Sequence, residues 1–315
     1  MTDPKTNRPP RQPRREVHGV LLLDKPLGLS SNDALVRAKR MLRALKAGHT
    51  GTLDPLATGL LPLCFGEATK FSQDLLEADK TYEAAVRLGL KTATGDAEGE
   101  VIAERPVTCD IDALRAAMLR FAGEIEQVPP MHSALKKDGR PLYEYARAGQ
   151  TVERAARRVT IREITLLDCG LPQAPTFSMR VTCSKGTYIR TLAEDIGEAL
   201  GCGAHLTGLR RTAVGDLSLD GAVTLEQIEQ RTDDERPGML APVDALLQRC
   251  VAVTLDEAAM ARFLQGQRIA QRDLPAGVAL AEDELASVYG GEPRRLLGVA
   301  RMREGALRPE RLVKL

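Results

Sequence analysis

Three short segments carry side chains whose types could attack carbon, move protons or hold a planar ligand. The first is His49-Thr50-Gly51-Thr52-Leu53-Asp54-Pro55-Leu56-Ala57-Thr58-Gly59. Pro55 restricts Asp54 to extended geometry, and the flanking glycines make this a shaped loop. A carboxylate held there, just after a basic helix, could sit in a positive pocket and act as nucleophile or base. It could equally cap or brace a turn. The second segment is Lys80-Thr81-Tyr82. The chain has only five Tyr, and Tyr82 offers a ring for stacking and a hydroxyl, although a Tyr early in a strand is also an ordinary core or edge residue. The third is Cys183-Ser184-Lys185-Gly186-Thr187-Tyr188-Ile189-Arg190. Arg190 falls in the first turn of a predicted helix, where the macrodipole disfavours a cation by ~0.3–1 kcal/mol. A carboxylate partner such as Asp54 would offset that, as would Glu194 at i,i+4. The Tyr188 ring beside it could wall a planar ligand.

The elements that must position these groups are legible in outline. His18–Leu23 reads as a strand, and after the Lys25-Pro26 and Gly28 turn, Ser30 or Ser31 can cap a helix with Leu35, Met41, Leu42 and Leu45 on its apolar positions. From Ala34 to Leu53 the charged groups are Arg37, Lys39, Arg40, Arg43 and Lys46, with no acid. That stripe leads into the Asp54 loop. Lys80–Leu90 alternates as a strand, followed by a turn at Thr94-Gly95-Asp96, and Ile111–Phe121 reads as a helix. Val128–Tyr145 is polar and loop-rich. Val159–Leu167 and Phe177–Ser184 are β-rich, and Gly186–Leu200 has helical spacing with Gly201 as terminator. Pro242–Leu247 reads as a short helix. From Cys250 onward, short strands, one helix (Asp256–Leu264) and Gly-bearing turns predict a small β-rich module. Strands and separated helices without a βαβ rhythm predict an α+β fold with a mainly antiparallel mixed sheet.

Composition narrows the rest. The 315 residues are 43% hydrophobic, 28% charged and 3% aromatic, with 44 Lys and Arg against 43 Asp and Glu. This excludes a wholly disordered, collagenous or coiled-coil chain, and the length suggests two domains. A net charge of +1 means that nucleic-acid binding would need a local patch. One such patch is the Pro/Arg-rich tail before His18, expected to be disordered. Another is residues 293–315, whose seven basic side chains could touch phosphate or keep a sheet edge soluble. No apolar run approaches the ~20 residues of a membrane span, and no secretory signal is visible. The six Cys contain no CxxC pair and read as reduced cytosolic thiols. The four His show no ligand spacing, so no metal is expected, and no nucleotide-binding glycine motif appears.

Read together, GVLLLDKPLGLSSN (19–32), HTGTLDPLATG (49–59), GEATKFSQ (66–73), SALK (133–136), LYEYA (142–146) and SKGTYIRT (184–191) resemble the TruB family of bacterial tRNA pseudouridine synthases. The resemblance covers residues 18 to 213 with the motifs in order, and the C-terminal part is similar to the family's PUA module in position and composition. It implies a pseudouridine-synthase catalytic domain over 18–249 and a PUA-like RNA-binding module over 250–315, while the basic tail over 1–17, read as disordered from its composition, has no family role to transfer. The implied partner is the T stem-loop of tRNA, with uridine 55 in tRNA numbering as target. A cytoplasmic monomer without cofactor, metal or membrane attachment is implied too. Residue by residue, Asp54 becomes the catalytic carboxylate, Tyr82 lies against the base and Arg190 pairs with Asp54. His49, Tyr188 and Leu209 would hold the extruded uridine or the remodelled loop. Lys25 would be a nearby structural or RNA-contacting residue. The stretch 128–150 would close over tRNA. His132 departs from the family pattern, where an aromatic Tyr is common.

The residue types suit that chemistry. Uridine isomerisation breaks N1–C1′, turns the base and joins C5 to C1′ with loss of the C5 proton, which requires neither redox change nor donated group. A stacked T-loop base must be flipped out, and His49 is short and flat enough to fill the gap. The Arg37–Lys46 stripe and Arg154, Arg157 and Arg158 would meet phosphates. Two other readings compete: a non-catalytic RNA-binding scaffold, and a glycosidase, which would usually pair two carboxyl groups.

Overall fold

The computed structural model describes residues 13–314. In chain order the strands begin with β1 (Gly19–Lys25), β2 (Ala47–His49), β3 (Ala57–Phe65), β4 (Lys80–Leu88), β5 (Leu90–Thr92) and β6 (Val101–Glu104). They continue with β7 (Gly123–Gln127), β8 (Lys136–Lys137), β9 (Arg140–Pro141), β10 (Arg157–Cys169), β11 (Thr176–Cys183), β12 (Ala204–Val214) and β13 (Leu217–Ser218). The last five are β14 (Val251–Thr254), β15 (Ile269–Ala270), β16 (Leu285–Gly290), β17 (Arg295–Arg303) and β18 (Ala306–Leu312). The α-helices are α1 (Ser31–Met41), α2 (Ser72–Glu77), α3 (Ile111–Leu119), α4 (Leu142–Arg147), α5 (Ile189–Ala199), α6 (Leu225–Glu229) and α7 (Glu257–Leu264).

A nine-stranded sheet runs β1-β3-β12-β4-β11-β10-β7, with β2 on β3 and β13 on β12. Within it only β3 and β12 pair in parallel, so the expected mainly antiparallel α+β sheet is what the chain forms. One core lies where α5 and α3 cover β4, β10, β11 and β12, with Leu192, Ile196, Val86, Met179 and Leu206 at or near zero exposure. A second forms where α1 and α6 pack on β1 and β3 through Ala34, Ala38, Leu61, Leu63 and Ile228. Tyr82 and Leu209 pack against both clusters, so the seam between the two cores runs through the middle of the sheet.

The β14–β18 strands make a separate five-stranded sheet in the order β14-β16-β17-β18-β15. It is not loosely tethered. Val20, Cys64 and Phe71 bury against Tyr289, Leu296, Val299 and Val313 in a common apolar cluster, and Arg311 Nη1 donates to the Lys70 carbonyl at 2.8 Å. Three of the seven basic side chains at its end pair with acids of the same module: Arg301 with Glu310, Arg303 with Asp283 and Arg308 with Glu304.

Several expectations need correction. The ordered part starts before His18: the Arg15 N–H donates to the Arg43 carbonyl at 2.8 Å and Val17 is buried. The first twelve residues of the expected tail lie outside the described residues. The Asp54 loop is shorter than its motif, because Ala57-Thr58-Gly59 already belongs to β3. Gly59, at φ +97°, brings β3 so close to β12 that a Cβ would lie 2.2 Å from the Arg211 carbonyl oxygen. The strand expected to reach Leu90 breaks at Gly89 (φ +86°). The short helix expected over Pro242–Leu247 is a 3-10 helix, Val243–Leu246. The central strand β12 went unanticipated, since consecutive Arg210 and Arg211 disguise its alternation. All six cysteines are free thiols, and no helix among the described residues is long and apolar enough to cross a membrane.

Candidate active site

The functional side chains are held by several separate elements. Ser30 accepts from the Asp33 N–H to cap α1, which points Ser31 at the Asp54 loop. There Ser31 Oγ accepts from the Leu53 N–H at 2.7 Å and donates to the Leu53 carbonyl at 3.1 Å. The Gly28 N–H donates to the Pro55 carbonyl (2.8 Å), and Arg211 Nη2 donates to the Gly51 carbonyl (3.1 Å). The loop is therefore pinned on both sides of Asp54 by groups from α1, the first turn and β12.

Lys80, Tyr82 and Ala84 share one face of β4 by the two-residue period of a strand. The α5 N-terminus is fixed by Gln127 at the end of β7, whose side chain accepts from the Tyr188 N–H (3.0 Å) and donates to the Tyr188 carbonyl (3.3 Å). Arg190 then projects from the first turn of α5. Behind it, the helix lies so close to the sheet that a Cβ on Gly197 would meet the Ala204 backbone N at 2.4 Å.

These placements converge on a cavity of about 430 Å³, a volume suited to a small organic group. Asp54, Tyr82, Tyr188, Arg190 and Leu209 line it, with Lys80, Ser133 and Arg211. Arg190 Nη2 lies 2.9 Å from Asp54 Oδ2. The Arg190 side chain is 6% exposed while Asp54 is 43% exposed, so the carboxylate faces the opening and the guanidinium backs it from inside. The expected alternative, an Arg190–Glu194 ion pair, does not form. Instead Arg190 Nη1 sits 3.3 Å from Asp96 Oδ2. It also donates to the Thr94 carbonyl at 2.9 Å, and Nη2 to the His132 carbonyl at 2.7 Å. The planar fork thus bridges two carboxylates, and this offsets the cost of a cation at a helix N-terminus.

Asp96 was absent from the sequence-based site, where it figured only as part of a turn. It is buried and accepts from Thr94 Oγ1 and from the Glu98 N–H. No local signal marks it: a turn Asp becomes a partner of Arg190 only when the chain folds. His132 contributes to the described contacts through its backbone carbonyl, which any residue would supply, so its departure from an aromatic does not affect that bond. Arg211 was missed as well. Adjacent arginines on a strand face opposite sides, but with β12 itself unanticipated nothing in the sequence marked which of them turns inward. Arg210 reaches out to Asp24 at 2.7 and 3.0 Å, while Arg211 turns inward and is 1% exposed.

The remaining sequence candidates divide. Leu209 sits in the cavity wall, and burial pushes the Tyr188 hydroxyl above its usual pKa. Lys25 is fully buried and donates to the Pro26 and Leu29 carbonyls (2.9 and 2.7 Å). It braces the turn under the loop and is not among the residues lining the cavity, and burial pulls its pKa down to about 8 against the attraction of Asp54. His49 ends β2 and does not line the cavity. Burial, and then the nearby Arg211, lower its pKa. Of the expected phosphate stripe, Arg43 is committed to Pro13 and Asp233, whereas Arg37, Arg40 and Lys46 are exposed. On the other side of the cavity, Lys136, Lys137 and Arg157 are exposed too.

Comparison with known proteins places these features in a family. Residues 39–189 match the TruB family pseudouridylate synthase N-terminal domain, 190–248 a tRNA pseudouridylate synthase B C-terminal domain, and 252–313 the C-terminal domain of pseudouridine synthase II TruB. The chain is 82% identical over the full length of both chains to tRNA pseudouridine synthase B of Cupriavidus taiwanensis. Identity to the protein of that name in Burkholderia pseudomallei is 67%, over 96% of each chain. Among solved structures, a chain of a Cbf5–Nop10–Gar1 complex superposes with a TM-score of 0.69 at 26% identity, covering 99% of this chain and 91% of that one.

Proposed function

This chain belongs to the TruB family of pseudouridylate synthases, isomerases that act on tRNA, and on that premise we propose that it converts the T-loop uridine, position 55 in tRNA numbering, with Asp54 as the catalytic carboxylate. The observation that carries this reading is the Asp54–Arg190 pair, 2.9 Å long, in the wall of a cavity flanked by two tyrosines. A flipped uracil nucleotide enters beside Asp54. Arg190 orients the carboxylate from its buried side through the single Nη2–Oδ2 contact, leaving the other oxygen for the substrate. The Tyr82 ring lies against the base, and Tyr188 and Leu209 wall it in.

N1–C1′ cleavage, rotation of the uracil and C5–C1′ bond formation all occur inside this space, and the C5 proton leaves to solvent as N1 gains one. Extrusion costs a few kcal/mol, which contacts from the exposed basic groups at Arg37, Arg40, Lys46, Lys136, Lys137 and Arg157 offset through the phosphates. His49 fills the vacated stack. The β14–β18 sheet serves as a PUA-like RNA-binding module. Asp54 is the one acid among the described residues lining the cavity, which suits isomerisation better than a two-carboxylate hydrolysis.

The test is tritium release from tRNA labelled at uridine C5. The intact protein releases label at the T-loop position and forms no free uracil, while Asp54→Asn binds tRNA normally and releases none. Retained release in Asp54→Asn, or free uracil among the products, refutes the reading.

A further inference from the structure

Arg211 is the most deeply buried guanidinium at the site and has no carboxylate within ion-pair distance among the described residues. A buried cation so placed is costly unless its N–H groups are used. Nε donates to the Leu60 carbonyl at 2.8 Å and Nη2 to the Gly51 carbonyl at 3.1 Å, which fixes the plane of the group between β3 and the Asp54 loop. The rest of the fork faces the cavity. On the neighbouring strand, Tyr82 is the direct cross-strand partner of Arg211, so their side chains leave the sheet on the same face and within reach of each other. Both line the cavity.

We propose that Arg211 is a positioning residue that donates a guanidinium N–H to the Tyr82 hydroxyl oxygen, so that the tyrosine proton points into the cavity and Tyr82 acts as a directed hydrogen-bond donor to the uracil. This rests on reading the cavity as the uridine site. The reason lies in the donor inventory: a guanidinium only donates, so a phenol beside it must accept there and spend its own proton elsewhere. Elsewhere is the cavity, where Asp54 and the base lie. As N1–C1′ breaks, negative charge grows on the uracil, and a donor polarised by a desolvated cation meets that charge better than a freely rotating phenol. Burial keeps the Tyr82 hydroxyl above its ordinary pKa while Arg211 opposes the rise, which suits a protonated donor more than a phenolate base.

A double-mutant cycle tests the claim, using Arg211→Lys and Tyr82→Phe, alone and combined, in the full chain with single-turnover rates, tRNA affinity and thermal melting. Arg211→Lys slows turnover about tenfold with tRNA affinity within about twofold, but costs less than about twofold when Tyr82 is already Phe. The same tenfold loss in both backgrounds overturns the proposal and makes Arg211 a brace for the Gly51 loop. A second measurement needs no turnover: the tyrosine ring carbon bearing oxygen is followed by NMR against pH, with Tyr82 identified by its loss in Tyr82→Phe. Arg211→Gln raises the Tyr82 titration midpoint, and an unmoved midpoint overturns the proposal. A native protein inactive on every tRNA would instead refute the uridine-site reading.

Discussion

Replacing Asp96 by Asn tests whether the far side of Arg190 governs the near side. The carboxylate accepts from Thr94 Oγ1 and the Glu98 N–H through Oδ1 and faces Arg190 Nη1 through Oδ2 at 3.3 Å. An amide can keep the first two bonds but must then turn an NH2 toward a guanidinium, donor against donor. With its side chain 5% exposed, little water is available to relieve the conflict. Losing this ion-pair contact, scaled as one hydrogen bond to a charged group, costs about 2 kcal/mol, equivalent to a melting temperature lower by roughly 4–8 °C in a domain of this size. Arg190 retains the Thr94 and His132 carbonyls and Asp54, so it stays in the site, but its fork tilts. A displacement of about 1 Å at the reacting carboxylate costs about 100-fold in rate. The expected outcome is therefore single-turnover tritium release slowed about 100-fold, tRNA affinity within about threefold, and a folded protein with a modestly lower melting point. A native rate with reduced melting temperature would mean that Asp96 only braces its turn. Parallel losses in rate and affinity would mean that Arg190 grips the RNA backbone.

Other substitutions separate binding from chemistry. Arg190→Met slows turnover by at least about 100-fold while leaving tRNA affinity within about threefold, since the side chain it removes is buried behind Asp54; filter binding beside the rate assay checks this. Replacing Arg37, Arg40 and Lys46 together by Ala does the reverse, weakening binding and lowering the slope of log affinity against log salt by about 2–3, and an unchanged slope removes the stripe from the interface. Stability has its own pH signature. Lys25 and Lys80 have folded pKa values lowered from 10.5 to about 8, so above pH 8 the unfolded chain binds protons that the folded chain has lost, and stability rises with pH. Cys64 and Cys183, raised from 9.0 to about 12 by burial, act oppositely once unfolded thiols ionise. Urea midpoints are therefore expected to climb from pH 7.5 to about 9 and then level off, and a fall over the first interval contradicts the burial of the two lysines.

Much of the scaffold was readable because its signals are local. The serine cap of α1, the α5 period with Gly201 behind it and the helix near Asp256–Leu264 depend on neighbours a few residues away, and they appear close to where the spacing puts them, with Ser30 as the cap and Asp256 capping α7 instead of opening it. The motif residues Asp54, Tyr82, Tyr188, Arg190 and Leu209 were likewise named from sequence and do share one cavity. Strand β12 was lost because bulges at Leu206/Gly208 and Arg211/Ala213 break its two-residue period. Lys25 was left open between a structural and an RNA-contacting role because a lysine gives no sequence sign of whether its ammonium ends on carbonyls or on phosphate; here it ends on the Pro26 and Leu29 carbonyls.

What the chain order alone determined, then, is which groups could carry the reaction and which short elements hold them. What only the folded structure decided is how the charges are shared. Arg190 reaches the Thr94 carbonyl 96 residues away and the His132 carbonyl 58 residues away, and the Asp96 and Asp54 carboxylates lie on its two sides. No spacing rule spans such distances. The choice among Asp54, Asp96 and Glu194 as partners of one guanidinium was set by where the packed sheet leaves it without water, since a desolvated cation takes the acceptors that the neighbouring strands and turns bring within bonding distance.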